Sequence, residues 1–121
     1  MATTAEAIDY LRSFDRMQEL SEGSFCIQWI LHDVNRTQTV YLRLANDLVV
    51  FSSPFAKVDD ISANKALEMA LIFGVQKVGD FYALRNIMFL EDLDESEIQK
   101  GIELLAVRAD DLESHVGGDA F

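Results

Sequence analysis

Residues 94–116 read DESEIQKGIELLAVRADDLESHV, and within them Ile98, Ile102, Leu105, Ala109, Leu112 and Val116 recur at a four-three-four-three-four spacing. On an α-helix that spacing stacks six apolar side chains into one seam and leaves the carboxylates on the other sides. Asp94 followed by Glu97 forms an acidic capping box, and Glu95 and Glu97 set negative charge against the positive end of the helix dipole. The pattern therefore predicts a helix to about His115, a rod on the order of 30 Å long. Such a seam needs a surface to lie on. A sheet within the same chain and the seam of a second copy both qualify. With fewer than four heptads, and with Leu104 and Val107 read as widening the apolar stripe, the sheet is favoured.

Upstream of this helix the chain supplies strands. Val75–Val78 and Phe81–Leu90 flank Gly79-Asp80, a pair suited to a type II′ hairpin turn. Before them Ser62 is placed to cap a short helix through Ala63, Ala66, Leu67, Met69, Ala70 and Phe73, with Gly74 as its left-handed terminator. Earlier still, Phe25, Ile27, Trp29 and Leu31 alternate with Cys26, Gln28, Ile30 and His32 as a strand. After a turn at Asp33-Val34-Asn35-Arg36, a second strand follows at Val40, Leu42 and Leu44. A reversal at Asn46-Asp47 leads into a third at Leu48–Phe51, which Pro54 is expected to stop. Thr3 and Glu6 form a capping box for a first helix expected from about Thr4 to Glu19, carrying Ile8, Leu11, Phe14 and Met17. The expected order is α-β-β-β-α-β-β-α. This is an α+β chain whose antiparallel sheet packs against helices, a single domain over residues 1–121 with a tail fraying from about residue 117.

Twenty-one acidic residues against ten basic give a formal charge of −11. A field of that sign repels phosphate backbones and anionic lipid, so neither nucleic acid nor membrane is an expected partner, and basic or charge-mixed protein segments are. Cys26 is the single cysteine, which excludes an intramolecular disulfide and fits a reducing compartment. With no basic-then-apolar start and no run of eighteen apolar residues, a cytoplasmic location is expected.

Residues that could run chemistry are sparse. His32 and His115 are far apart and neither has a partner at metal-ligand spacing, so no metal site is expected. Asp92, Asp94, Glu95 and Glu97 lack the alternation and central glycine of a calcium loop and read as a helix start. Ser52-Ser53 precedes Pro54 rather than standing in a glycine-framed elbow, and no phosphate-binding glycine loop occurs. Cys26 sits among apolar residues as an inert thiol does. No catalytic residue, metal or cofactor is assigned, and the chain reads as a non-enzyme.

Apolar residues on the face of the sheet turned from the core say more. Ile30 and Tyr41, joined by Phe55 beside Pro54, are either packed under a helix or in a dimer, or form a docking patch for a partner strand or amphipathic helix. A rival reading is a small-ligand or enzymatic pocket between Trp29 and the second helix.

The order of elements, with Phe81-Tyr82-Ala83-Leu84-Arg85-Asn86-Ile87-Met88-Phe89-Leu90-Glu91-Asp92-Leu93 running into the acidic seam helix, resembles the YbjN-like branch of the type III secretion chaperone-like fold. The resemblance implies a homodimeric, non-enzymatic α+β protein that holds a segment of another protein or regulates through such contacts. It transfers no binding residue by motif.

Overall fold

A computed structural model describes residues 3–31, 36–70 and 73–116. The expected turn at 33–35, His32, and the glycines at 117 and 118 lie outside them. Helix α1 spans Thr4–Ser13, then β1 Met17–Ser21, β2 Ser24–Leu31, β3 Arg36–Ala45 and β4 Leu48–Lys57. Next come α2 Ala63–Ala70, β5 Gly74–Val78, β6 Phe81–Phe89, a 3-10 turn at Leu90–Asp92, and α3 Glu95–Val116. The described strands form one six-stranded antiparallel sheet in the order β1-β2-β3-β4-β6-β5.

α3 lies across the sheet, touching β2, β3, β4 and β6, and its seam residues Ile98, Ile102, Leu105, Ala109 and Leu112 are buried. They meet Phe25, Val40, Leu42, Phe51, Phe55 and Leu84 from the strands in one core. α1 flanks this helix on one side, where the Tyr10 hydroxyl donates to the Glu95 carbonyl (3.3 Å). α2 flanks it on the other, where Arg108 of α3 donates to the Met69 carbonyl (3.4 Å). The helices thus form one layer and the sheet another, and the alternation of each strand leaves its second set of side chains on a face that no described element covers.

Four sequence expectations change. The first helix ends at Ser13 rather than Glu19, because the chain turns at Arg16 with a left-handed φ of 67° and enters β1, an edge strand the alternation did not disclose. Met17, expected on the helix stripe, instead pairs with Ile27 across β1 and β2. A three-residue apolar repeat suits the end of a helix and the start of a sheet equally, and no glycine marks the left-handed turn. Bidentate pairing of Arg12 with Glu19 (2.9 and 3.1 Å) folds α1 back on β1.

Pro54 does not end its strand. β4 continues to Lys57, with a register irregularity between Pro54 and Ala56 and with its ladder to β3 ending at Ser52. The missing N–H thus falls at a bulge and past the end of one ladder, where proline is tolerated. There the buried Gln38 side chain replaces ladder bonds, donating to Ser53 Oγ (3.0 Å) and to the Pro54 carbonyl (2.7 Å), while Ser53 donates to the Thr39 carbonyl. Gly74 is not a left-handed terminator either. It opens β5 without a positive φ, whereas Gly79 does carry one (58°) in the β5–β6 turn, as the hairpin reading requires. Finally, Leu104 and Val107 do not widen the core stripe. They lie about 120° and 180° around α3 from the centre of the seam at 3.6 residues per turn and are half exposed or more.

The α3 start is built as expected. Asp94 Oδ1 accepts from the Glu97 amide (2.8 Å) and from the Ser96 hydroxyl (3.1 Å), and these bonds to its charged form hold its carboxyl below the ordinary 3.8. A depressed folded pKa contributes stability that is present above the unfolded value and lost as pH falls through the folded one. Asp94→Asn, which retains a capping oxygen, should therefore be less stable than the parent at pH 7. The gap should close as pH drops below about 3.8. Urea midpoints at the two pH values report it, and a gap that widens in acid would contradict the assignment.

Gly101 faces the Phe51 ring, and a Cβ there would meet two ring carbons at 3.5 Å, ordinary van der Waals contact. Gly101→Ala should accordingly keep the helix seated and gain up to about 1 kcal/mol from helix propensity, read as a higher urea midpoint.

Candidate partner-binding face

The uncovered face of the sheet is built from the outward set of each strand. In register across it, Gln18, Cys26, Tyr41, Ser52, Arg85 and Gly74 form one row, and Arg43, Val50 and Ile87 form the next. The face curves into a trough of about 960 Å³ whose lining includes Leu20, Tyr41, Arg43, Val50, Val78 and Arg85. Ile87 and Phe89 extend its apolar surface along β6. Among the described residues eight large apolar side chains are exposed, and Leu20, Tyr41, Val78, Ile87 and Phe89, at 42–60% exposure, all stand on this one face. Scattered exposed apolar residues carry no message, whereas five gathered on one side of one sheet are a surface awaiting cover.

Charge is segregated in the same way. Of the 21 acidic residues only Glu19 lies in a described strand, and it is tied to Arg12; five of the ten basic residues lie in strands, namely Arg36, Arg43, Lys57, Lys77 and Arg85. Among the described residues the other carboxylates sit on helices, turns and connecting segments. On the open face the charged side chains are Arg43, Arg85 and, at the far end of β4 opposite Phe81, Lys57, and among the described residues neither arginine makes an ion pair.

Of the residues read from sequence as a docking patch, Tyr41 is exposed in the centre of this face. Ile30 shares the face but is half-buried and lines a separate cavity of about 340 Å³ beside Trp29. Phe55 is not on it. Its side chain is fully buried in the core, because β4 keeps its alternation through Pro54 and carries Val49, Phe51, Ser53 and Phe55 inward together. Sequence reasoning missed Leu20, Val78, Ile87 and Phe89. The available signal was a β6 with apolar residues at both parities, which marks a strand with two faces to cover.

The pocket expected between Trp29 and the second helix is also relocated. The cavity at Trp29 is walled by Phe14–Arg16, β2 and Gln99 of α3, with Phe14 stacked at a tilt on the indole, and α2 lends it no residue. Trp29 lies near the β1 edge, while α2 packs by β5 at the opposite edge. Cys26 is half-buried on the open face, and burial raises its thiol pKa, so the nucleophilic thiolate is disfavoured. His115 stays near the α3 C-terminus, with Nδ1 2.7 Å from the Asp111 carbonyl. Among the described residues no three His, Cys, Asp or Glu side chains converge, and no helix is long and apolar enough to cross a membrane.

The antiparallel sheet packed against helices is the α+β architecture expected from the sequence. A chain in the crystal structure of the ExsC–ExsE complex shares it with a TM-score of 0.66, over 96% of this chain and 97% of that one, at 13% identity. No protein-family model and no curated protein matches the sequence.

Proposed function

We propose that this chain is a non-enzymatic binding module that holds a segment of a partner protein, as a chaperone or a regulator does, and that it acts as a homodimer. The observation that carries the reading is the open sheet face, where five large apolar side chains gather opposite the helical layer. A solved chain of the same fold and length comes from a two-protein complex, which supports it. The attribution to the YbjN-like branch rests on the sequence resemblance, and the cytoplasmic location on the lone free cysteine. Catalysis has little to work with on this face, whose strands offer a thiol disfavoured as thiolate, two arginines and Lys57 but no carboxylate or imidazole.

The test is a photo-crosslinker at Tyr41 in the native cell, followed by binding measurements with the purified partner. Tyr41→Ser and Ile87→Ser should each weaken binding about tenfold or more while leaving the melting temperature nearly unchanged. A partner that binds both variants as well as the parent would remove the face from the reading, and a small metabolite as the only occupant would replace the reading itself. For the dimer, the helical layer retains Leu67, Leu104 and Val107 as exposed apolar residues. Light scattering should give twice 13.6 kDa, falling to 13.6 kDa in a Leu104→Asp, Val107→Asp variant. A parent chain at the monomer mass across a wide concentration range would exclude it.

A further inference from the structure

We infer that the segment held on the open sheet face is amphipathic and acidic, with carboxylates that meet Arg43 and Arg85 between apolar side chains that cover Leu20, Tyr41 and Ile87. This rests on the binding-module reading and adds the chemistry of the occupant. It also reverses the expectation drawn from net charge. A chain at −11 should attract basic segments, but among the described residues that charge lies almost wholly outside the strands, and the open sheet face has only cationic groups to offer.

The two arginines stand in adjacent rows, with Arg43 opposite Val50 and Arg85 opposite Ser52. Two strand spacings and two residues of offset put their backbones about 12 Å apart, on either side of the Tyr41–Val50 surface. A guanidinium presents a planar fork that suits a carboxylate in two-point contact. Among the described residues neither has an acidic partner, so each is available for one from outside.

Other occupants fit worse. A second copy laid face to face by a two-fold axis would bring the cations of both faces together with no carboxylate on either strand surface. A basic segment would meet like charge at both positions. Nucleic acid finds three cations on a strongly negative molecule, far short of the phosphate neutralisation it needs. A small acid would be poorly enclosed, since pockets for such ligands bury most of the ligand surface and the apolar residues here stand 42–60% exposed on an open face.

The experiment titrates the isotope-labelled full chain with a peptide of alternating leucine and glutamate, and separately with its leucine–lysine counterpart, following backbone amide resonances. The leucine–glutamate peptide should shift Tyr41, Ser52 and Arg85, and bind more weakly as salt is raised. An Arg43→Glu, Arg85→Glu variant with an unchanged circular dichroism spectrum should bind it about tenfold more weakly and should take the lysine peptide on the sheet face instead. Leu104→Asp on the helical layer should alter neither titration. The inference is overturned if the parent seats the lysine peptide on the sheet face as well as the acidic one. It is equally overturned if charge reversal leaves acidic-peptide binding intact, if the acidic peptide shifts only helical residues or none up to millimolar concentration, or if the free chain buries this face against its own copy. A natural partner crosslinked at Tyr41 whose bound segment is basic would sink this chemistry and leave the binding-module reading standing.

Discussion

Phe51→Ala should remove about 3–5 kcal/mol of stability, a large share of what a domain of this size has to lose. Phe51 is fully buried at the centre of the sheet, paired with Leu42 on β3 and Asn86 on β6, and its ring lies against α3 at Gly101. Truncation would therefore open a cavity between two rigid elements that have little room to collapse into it. On the thermal scale the loss corresponds to a fall on the order of 10–15 °C in Tm. Phe51→Leu, which preserves much of the volume, should cost much less, about 1–2 kcal/mol. Urea unfolding of the three proteins decides it. A loss below about 1 kcal/mol for the alanine variant would mean that α3 is not seated on β4 as described.

The second large effect concerns charge inside the helical layer. Arg36 Nη2 donates to Asp110 Oδ2 at 2.7 Å, and the Asp110 side chain is nearly closed off from solvent while about a third of the Arg36 side chain is exposed. Glu113, one turn further along α3, is also buried, so this stretch of helix holds two acids out of water. Arg36→Met removes the cation but not the Asp110 carboxylate, and an uncompensated buried charge is costly. The partial exposure of the arginine lowers the figure from that of a fully buried pair, and about 2–3 kcal/mol is expected. Asp110→Leu added to Arg36→Met should recover much of the loss, because two apolar side chains replace a pair whose desolvation had offset most of its attraction. If the double variant is as unstable as the sum of the single ones, the two side chains do not act as a pair.

Elements with a local signal were legible. The α3 seam, its Asp94 cap, the Ser62 cap of α2, the left-handed Asn46 and the Gly79 turn each follow from residues within a few positions of one another. Elements whose evidence is non-local were not. β1 is an edge strand recognisable only through its pairing with β2, and the continuation of β4 past Pro54 depends on Gln38 bonding it from another strand. Phe55 was misplaced for that reason, while Tyr41 was correctly put on the outer face because β3 alternates cleanly from Arg36 to Ala45. Leu20 escaped notice because β1 was read as the end of the first helix, and Val78, Ile87 and Phe89 because which parity of a strand stays open is fixed only by where the helices pack.

By itself the sequence determined the two kinds of building block, the length and apolar seam of the closing helix, and a total charge of −11. Only the tertiary structure decided which of each strand's two faces receives the helices, and so which apolar residues remain in water and where the charge resides. The reason is physical. Alternation defines two faces without ranking them, and net charge is a sum without positions. Both gain a place only when six strands from distant parts of the chain align in register beneath a single helical layer.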